Sequence, residues 1–209
     1  MSEARREALV AAARAMAAAG LSPGTSGNLS VRDGDGLLVT PSGLSYDHLG
    51  PEDVVALGPN GQPTGPGKPT SEWRIHRDIY RERRDVSAIV HAHPPHATAL
   101  ACLHFDLPAF HYEVAFGGGK DIRCADYATF GTQALSDNVL KALEGRRAAL
   151  MANHGMVALG DDPAAALALA EKVEALSRVY VLCLGVREPQ LLGETEMRRV
   201  LERFKDYGA

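Results

Sequence analysis

Three cysteines in 209 residues, Cys102, Cys124 and Cys183, are too few and too scattered for a disulfide framework. None belongs to a C-x-x-C pair, which argues against a zinc ribbon too, and buried thiols in a reducing compartment are expected. Positive charge is also sparse: 22 Lys and Arg stand against 26 Asp and Glu, a formal net charge of -4. With no basic run the chain lacks the electrostatic footprint of a nucleic-acid binder, and attention turns to a small-molecule substrate. No uncharged apolar stretch approaches the roughly 20 residues that span a bilayer. Arg5 and Arg6 precede an alanine-rich segment, but Glu3 and Glu7 sit among them and Arg14 interrupts it, leaving no targeting h-region. A cytoplasmic protein with no membrane partner is therefore expected. What is present is ordinary globular material, 45% hydrophobic and 23% charged, of a length that suits one domain over residues 1–209.

Residues 2–19 read as a helix ended by Gly20. A glycine-rich turn, Gly24 to Asn28, leads into Leu29–Arg32. Asp33-Gly34-Asp35-Gly36 is a hairpin turn returning through Leu37–Thr40. Asp53–Leu57 reads as a strand, residues 58–69 as a Pro/Gly loop, Ser71–Arg83 as a helix, Val86–Ala92 as a buried strand and Pro94–Leu103 as a helix. Ile122–Ala125 is a short strand and Thr132–Leu143 a helix. Ala148–Ala152 and Met156–Leu159 are strands flanking Asn153-His154-Gly155, and helices over Asp162–Leu184 and Glu194–Lys205 follow. Hairpins mixed with strand–helix alternation imply an α/β fold with one helix-covered, largely antiparallel sheet.

His91 and His93, two apart at a strand end, project the same way, as strand alternation requires. Adjacent histidines also serve as hydrogen-bonded core groups, so the pair alone decides little. His154 changes that, because it too leaves a buried strand end, where sites assemble in helix-covered sheets. Three neutral imidazoles suit zinc, with iron, cobalt or manganese as substitutes, and catalytic zinc keeps one position open. Glu72 is the candidate carboxylate. The plainer reading makes it a first-turn residue of the helix after Thr70 and Ser71.

Gly24-Thr25-Ser26-Gly27-Asn28-Leu29-Ser30 can aim backbone N–H groups at an anion. Thr40-Pro41-Ser42-Gly43 adds hydroxyl and glycine, and Thr70 and Ser71 stand at a helix start with unpaired N–H groups. Turn chemistry explains each by itself; three beside a metal constellation point to a phosphomonoester.

The strings G-T-S-G-N-L-S (24–30), T-P-S-G (40–43), T-S-E-W-R-I-H (70–76), H-A-H (91–93), H-Y (111–112), Y-A-T-F-G-T (127–132), N-H-G (153–155) and F-K-D-Y-G (204–208) run in order through nearly the whole chain. Together they resemble the class II aldolase/adducin family. The resemblance implies a three-layer α/β/α domain and a four-fold symmetric homotetramer with active sites between neighbouring subunits. It implies one Zn2+ per subunit on His91, His93 and His154, with Glu72 as a further ligand and as acid/base. Gly27, Asn28, Ser42, Gly43, Thr70 and Ser71 would bind the phosphate; Thr70 stands where serine is expected and keeps the hydroxyl. Tyr112 would reach the aldehyde half from across the interface, with Phe130 and Tyr207 lining that region. The implied reaction is retro-aldol cleavage of a ketose 1-phosphate, L-fuculose 1-phosphate by preference, to dihydroxyacetone phosphate and L-lactaldehyde through an enediolate.

Three sister activities stay open. A pentulose-phosphate 4-epimerase would have aspartate at position 72, a methylthioribulose-1-phosphate dehydratase would use a glutamate near Glu113, and a broader aldolase of 5-deoxypentulose 1-phosphates is also open. A non-catalytic adducin-like module would lack the zinc ligands, and all are present. His76, one helical turn after Glu72, is either a partner of the site or a structural histidine.

Overall fold

Residues 2–205 are described in the computed structural model. In it the runs around Gly34-Asp35 pair as an antiparallel hairpin: β1 (Asn28–Asp33) and β2 (Gly36–Val39), in register from Ser30↔Val39 to Asp33↔Gly36. β3 (Val55–Leu57), β4 (Ala88–Ala92), β5 (Cys124–Ala125), β6 (Ala148–Met151) and β7 (Gly155–Gly160) complete one seven-stranded sheet, ordered β3-β2-β1-β4-β7-β6-β5. Every pairing is antiparallel except β5 with β6.

Strand alternation sorts the apolar residues onto two faces. Leu29, Val31, Leu38, Val90, Leu150 and Met156 pack under α1 (Ser2–Ala18), α3 (Pro95–Cys102) and α5 (Pro163–Leu184). Leu37, Val39, Ile89, Ala149, Val157 and Leu159 pack under α2 (Trp73–Glu82) and α4 (Gln133–Ala142). The result is the expected three-layer α/β/α arrangement around a largely antiparallel sheet. On α2, Ile75 and Ile79 are one turn apart and buried, as is Ile89 on the sheet below; each such side chain contributes about 1.5–3 kcal/mol of apolar burial. A buried carboxylate clamps α2 to α4, with Asp78 Oδ2 accepting from Ser136 Oγ (2.8 Å) and Gln133 Nε2 (2.7 Å). That clamp holds α2 and α4 side by side on this face of the sheet. α6 (Glu194–Lys205) packs through Met197 against Ala109 and Ala115.

Several sequence-based bounds shift. The strand expected from Asp53 starts at Val55, because Pro51–Asp53 forms a 3-10 turn whose Asp53 carboxylate accepts from Gly50 N (2.8 Å). The helix expected from Ser71 starts at Trp73, leaving Glu72 at the cap position. β4 begins at Ala88 and β5 at Cys124, each two residues later than expected. A 3-10 segment over Tyr112–Gly117 was not foreseen. Tyr207 lies outside the described residues. No helix among the described residues is long and apolar enough to cross a membrane.

Candidate metal centre and active site

The sheet's alternation points His91 away from the α1/α3/α5 core, on the same face as Ile89, and β1 and β7 place Asn28 and Val157 opposite it. His93 follows the strand; its backbone N–H donates to the Leu21 carbonyl (3.0 Å), which turns the ring back beside His91. His154 belongs to the three-residue turn between β6 and β7, closed by the Met151↔Gly155 pair. Asn153 in that turn has a left-handed backbone, φ 53°, and its side-chain carbonyl accepts from His104 Nε2 (2.6 Å). The three rings form a near-equilateral triangle with centroids 4.7, 4.9 and 4.9 Å apart.

Glu72 closes the arrangement from above. Sitting at the cap position of α2, its carboxylate makes no capping bond and is aimed at the histidines instead. Oε2 lies 2.9 Å from His91 Nε2, and Oε1 lies 3.3 Å from His154 Nε2. Ligand atoms of Glu72, His91, His93 and His154 all fall within 4.8 Å of one another.

These residues fit a divalent cation. His91 Nδ1 donates to the Met156 carbonyl (2.9 Å), leaving the Nε2 lone pair facing inward. That Nε2 stands 2.8 Å from His93 Nε2 and 2.9 Å from Glu72 Oε2, so two ring nitrogens and a carboxylate oxygen converge within the span of one coordinated cation. Burial, then the neighbouring His91 and His154, push His93 down to about 3. Burial and His91 push His154 down to about 4, so both are neutral imidazoles near neutral pH. Burial would raise the Glu72 carboxyl, but His91, His154 and the Asn28 amide hold it well below the usual carboxylate range. Its Oε1 is buried without a hydrogen-bond partner. An ionised oxygen buried without a donor is costly, and a coordinated cation removes that cost.

Gly155 is required by the packing around this centre. A Cβ there would lie 2.4 Å from the Ala92 carbonyl oxygen and 2.6 Å from His93 Cδ2. Gly155→Ala should therefore displace His93 and weaken Zn2+ binding by about tenfold or more, read by competition with a chromophoric chelator. Unchanged affinity would mean that His93 does not bind. Gly27 is constrained likewise: with φ +79°, its Cβ would fall 2.3 Å from Ser22 Oγ and 2.8 Å from the His91 carbonyl oxygen.

Above the histidines opens a cleft of about 430 Å³. Its walls include every residue singled out for the phosphate, namely Gly27, Asn28, Ser42, Gly43, Thr70 and Ser71, together with Phe130, Glu72, His93 and His154. His91 is fully buried beneath it. Thr25, Ser26, Tyr127, Ala128 and Asn153 also line the cleft; they lie inside the quoted motifs, but no single one carried a chemical signal.

Tyr112 does not line its own chain's cleft. It is half-exposed, stacked on His111 with centroids 4.8 Å apart. Glu113, the residue that left a dehydratase open, lies outside the cleft as well and pairs with Lys172 (3.1 Å). His76, undecided from sequence, is buried and bonded to Asn28. Trp73 packs rather than reacts: its ring fills the space over Gly61 and carries the Arg74 and Arg77 guanidinium groups.

Comparison with known proteins supplies a family and a fold. Residues 7–181 match the family model described as "Class II Aldolase and Adducin N-terminal domain". A Rhodospirillum rubrum protein named 5-methylthioribulose-1-phosphate/5-deoxyribulose-1-phosphate aldolase is 55% identical, over 97% of this chain and 92% of its own. The L-fuculose phosphate aldolase of Escherichia coli K12 is 44% identical, over 90% of this chain and 88% of its own. A solved structure titled L-fuculose 1-phosphate aldolase superposes with a TM-score of 0.93 at 40% identity, covering 97% of this chain and 96% of that one. The match over residues 7–181, and relatives this similar over nearly the whole chain, make the chain a member of the class II aldolase and adducin family.

Proposed function

We propose that the protein cleaves a ketose 1-phosphate to dihydroxyacetone phosphate and an aldehyde, using one divalent cation, best zinc, held by His91, His93, His154 and Glu72. The observation that carries this reading is the buried Glu72 Oε1, without a hydrogen-bond partner and 3.3 Å from His154 Nε2, set among three imidazoles at a cleft whose rim is glycine and hydroxyl turns.

A cation bound there supplies a Lewis acid that polarises the substrate carbonyl and spreads the charge left when the C3–C4 bond breaks. The remaining work falls to the chain. Gly27, Asn28, Ser42, Gly43, Thr70 and Ser71 hold the phosphate, so binding energy far from the reacting carbons orients them. Glu72 exchanges a proton with C3; its Oε2 is tethered by Asn28 Nδ2 (3.2 Å), leaving Oε1 free to act. Tyr112 takes the C4 hydroxyl proton in the site of a neighbouring subunit, so one proton leaves oxygen and one returns to carbon. Its absence from its own cleft supports that arrangement. Exposed Val179, Leu182 and Val186 on and just beyond α5 fit a homotetramer, and Phe130 on the cleft wall would meet the aldehyde half.

The substrate class we favour is a 5-deoxypentulose 1-phosphate, with a methyl or methylthio end, over L-fuculose 1-phosphate. The 55% identical relative bears that activity in its name. Tyr127, Ala128 and Phe130 also give one wall of the cleft an apolar surface suited to such an end. Parallel assays of 5-deoxyribulose, 5-methylthioribulose and L-fuculose 1-phosphates test it, with dihydroxyacetone phosphate measured by a coupled reductase. A 5-deoxypentulose ester should lead in kcat/KM by roughly tenfold or more, a typical worth for one small group in an apolar pocket. Preference for fuculose phosphate would reverse the assignment, and no triose phosphate from any of the three would refute the reaction.

A further inference from the structure

Strand β1 buries a polar stripe that the proposed chemistry does not use in full. Asn28, Ser30 and Arg32 alternate on its α2-facing side, opposite Leu29 and Val31 in the apolar core. Above them Glu72, His76 and Tyr80 recur every four residues at and along α2. Two strand residues advance about 6.7 Å and four helical residues about 6 Å, so the two rows keep step. The rungs are all made: Glu72 with Asn28, His76 with both Asn28 and Ser30, Tyr80 with Ser30. Arg32 closes the far end, its guanidinium carbon 4.7 Å from the centre of the Tyr80 ring. Asn28, Ser30 and His76 are buried to within 3% of full.

The hydrogens along this ladder run one way. An ionised Glu72 only accepts, so Asn28 turns Nδ2 toward Oε2 and presents its carbonyl to His76 Nε2, which must carry the ring proton. His76 Nδ1 then accepts from Ser30 Oγ (2.7 Å), and Ser30 accepts from the Tyr80 hydroxyl (2.9 Å). Reversing the Asn28 amide would set oxygen against carboxylate and N–H against N–H. A chain of buried, mutually oriented bonds resists that reversal as a unit.

We propose that His76 is a positioning residue, locking the Asn28 amide so that Glu72 Oε2 is tethered and Oε1 is left for the cation and the reacting proton. The inference rests on the reading of Glu72 given above. Its test is made on the metal-free protein, and so stands apart from substrate and turnover. His76→Gln puts an amide N–H near the place of Nε2, whereas His76→Leu removes the donor at similar size.

Zn2+ affinity, by competition with a chromophoric chelator, should fall about 10–100-fold in His76→Leu, the usual cost of losing an outer partner of a ligand. His76→Gln should restore it. The Asn28 side-chain amide signals, read by 15N NMR, should stay as a single sharp pair in wild type and His76→Gln, and shift or broaden in His76→Leu. Should His76→Leu not fold, Ser30→Ala frees the other ring nitrogen and should produce the same change in the Asn28 signals. Unchanged Asn28 signals and Zn2+ affinity in His76→Leu, or failure of His76→Gln to restore either, would overturn the proposal. So would unchanged Asn28 signals in Ser30→Ala where that variant stands in. An active Glu72→Gln enzyme would instead defeat the reading of Glu72 while the ladder stood.

Discussion

Glu72→Gln should lower kcat by about 10²–10⁴-fold, the range that a positioned acid/base contributes, while the fold survives. The amide has the same shape, and its oxygen can still accept from Asn28 Nδ2, so the cap of α2 and the ladder beneath it have no reason to move. What it loses is the proton-exchanging oxygen. Some metal affinity should go too, since one of four donors becomes neutral, so turnover is to be measured at saturating Zn2+. Steady-state kinetics with circular dichroism decides the matter. A folded, zinc-loaded variant turning over at near the wild-type rate would remove Glu72 from the chemistry.

The second large effect is expected from His154→Ala. His154 occupies a short turn and is partly exposed, unlike His91, whose ring is fully buried and bonded to the Met156 carbonyl. Its removal should leave the sheet intact and the thermal midpoint of the metal-free protein little altered. Zn2+ affinity should fall by at least about 100-fold, because even partners outside the ligand set cost 10–100-fold. Elemental analysis of dialysed protein should show about one equivalent in wild type and almost none in the variant. Full retention of the cation would mean that His154 does not bind it.

How far the sequence foretells this site depends on the range of the interactions involved. Period-two alternation in Ile89-Val90-His91 is local, and it placed the first two histidines together before any tertiary contact was known. His154 was legible because an apolar strand ended immediately before it. Glu72 was harder. Its neighbours Thr70 and Ser71 announce a helix start, and local propensity is satisfied by a residue that merely begins one. Only the docking of α2 on the sheet, through Ile75 and Ile79, and on α4, through the Asp78 clamp, turns its carboxylate onto the histidines. The family motifs supplied what spacing could not.

The ladder from Glu72 to Tyr80 went unread although its signal was present. Polar residues at 28, 30 and 32 on one side of a buried strand violate the pattern of an ordinary core face, and such violations mark sites or networks. Reading it required knowing that β1 lies beneath α2, a pairing between segments over 40 residues apart. The shifted starts of the short strands and the unforeseen 3-10 turn at Tyr112–Gly117 have a simpler reason. Two or three residues carry too little periodicity to distinguish strand from turn.

The claim beneath all of this is that three imidazoles and one carboxylate hold a cation without which no carbon–carbon bond is cleaved. Assaying ketose 1-phosphate cleavage after chelator treatment and dialysis, and again after adding one equivalent of Zn2+, tests it most directly. Activity should be lost on stripping and return at a stoichiometry of about one Zn2+ per chain. Undiminished cleavage by protein that elemental analysis shows to be free of metal would contradict it.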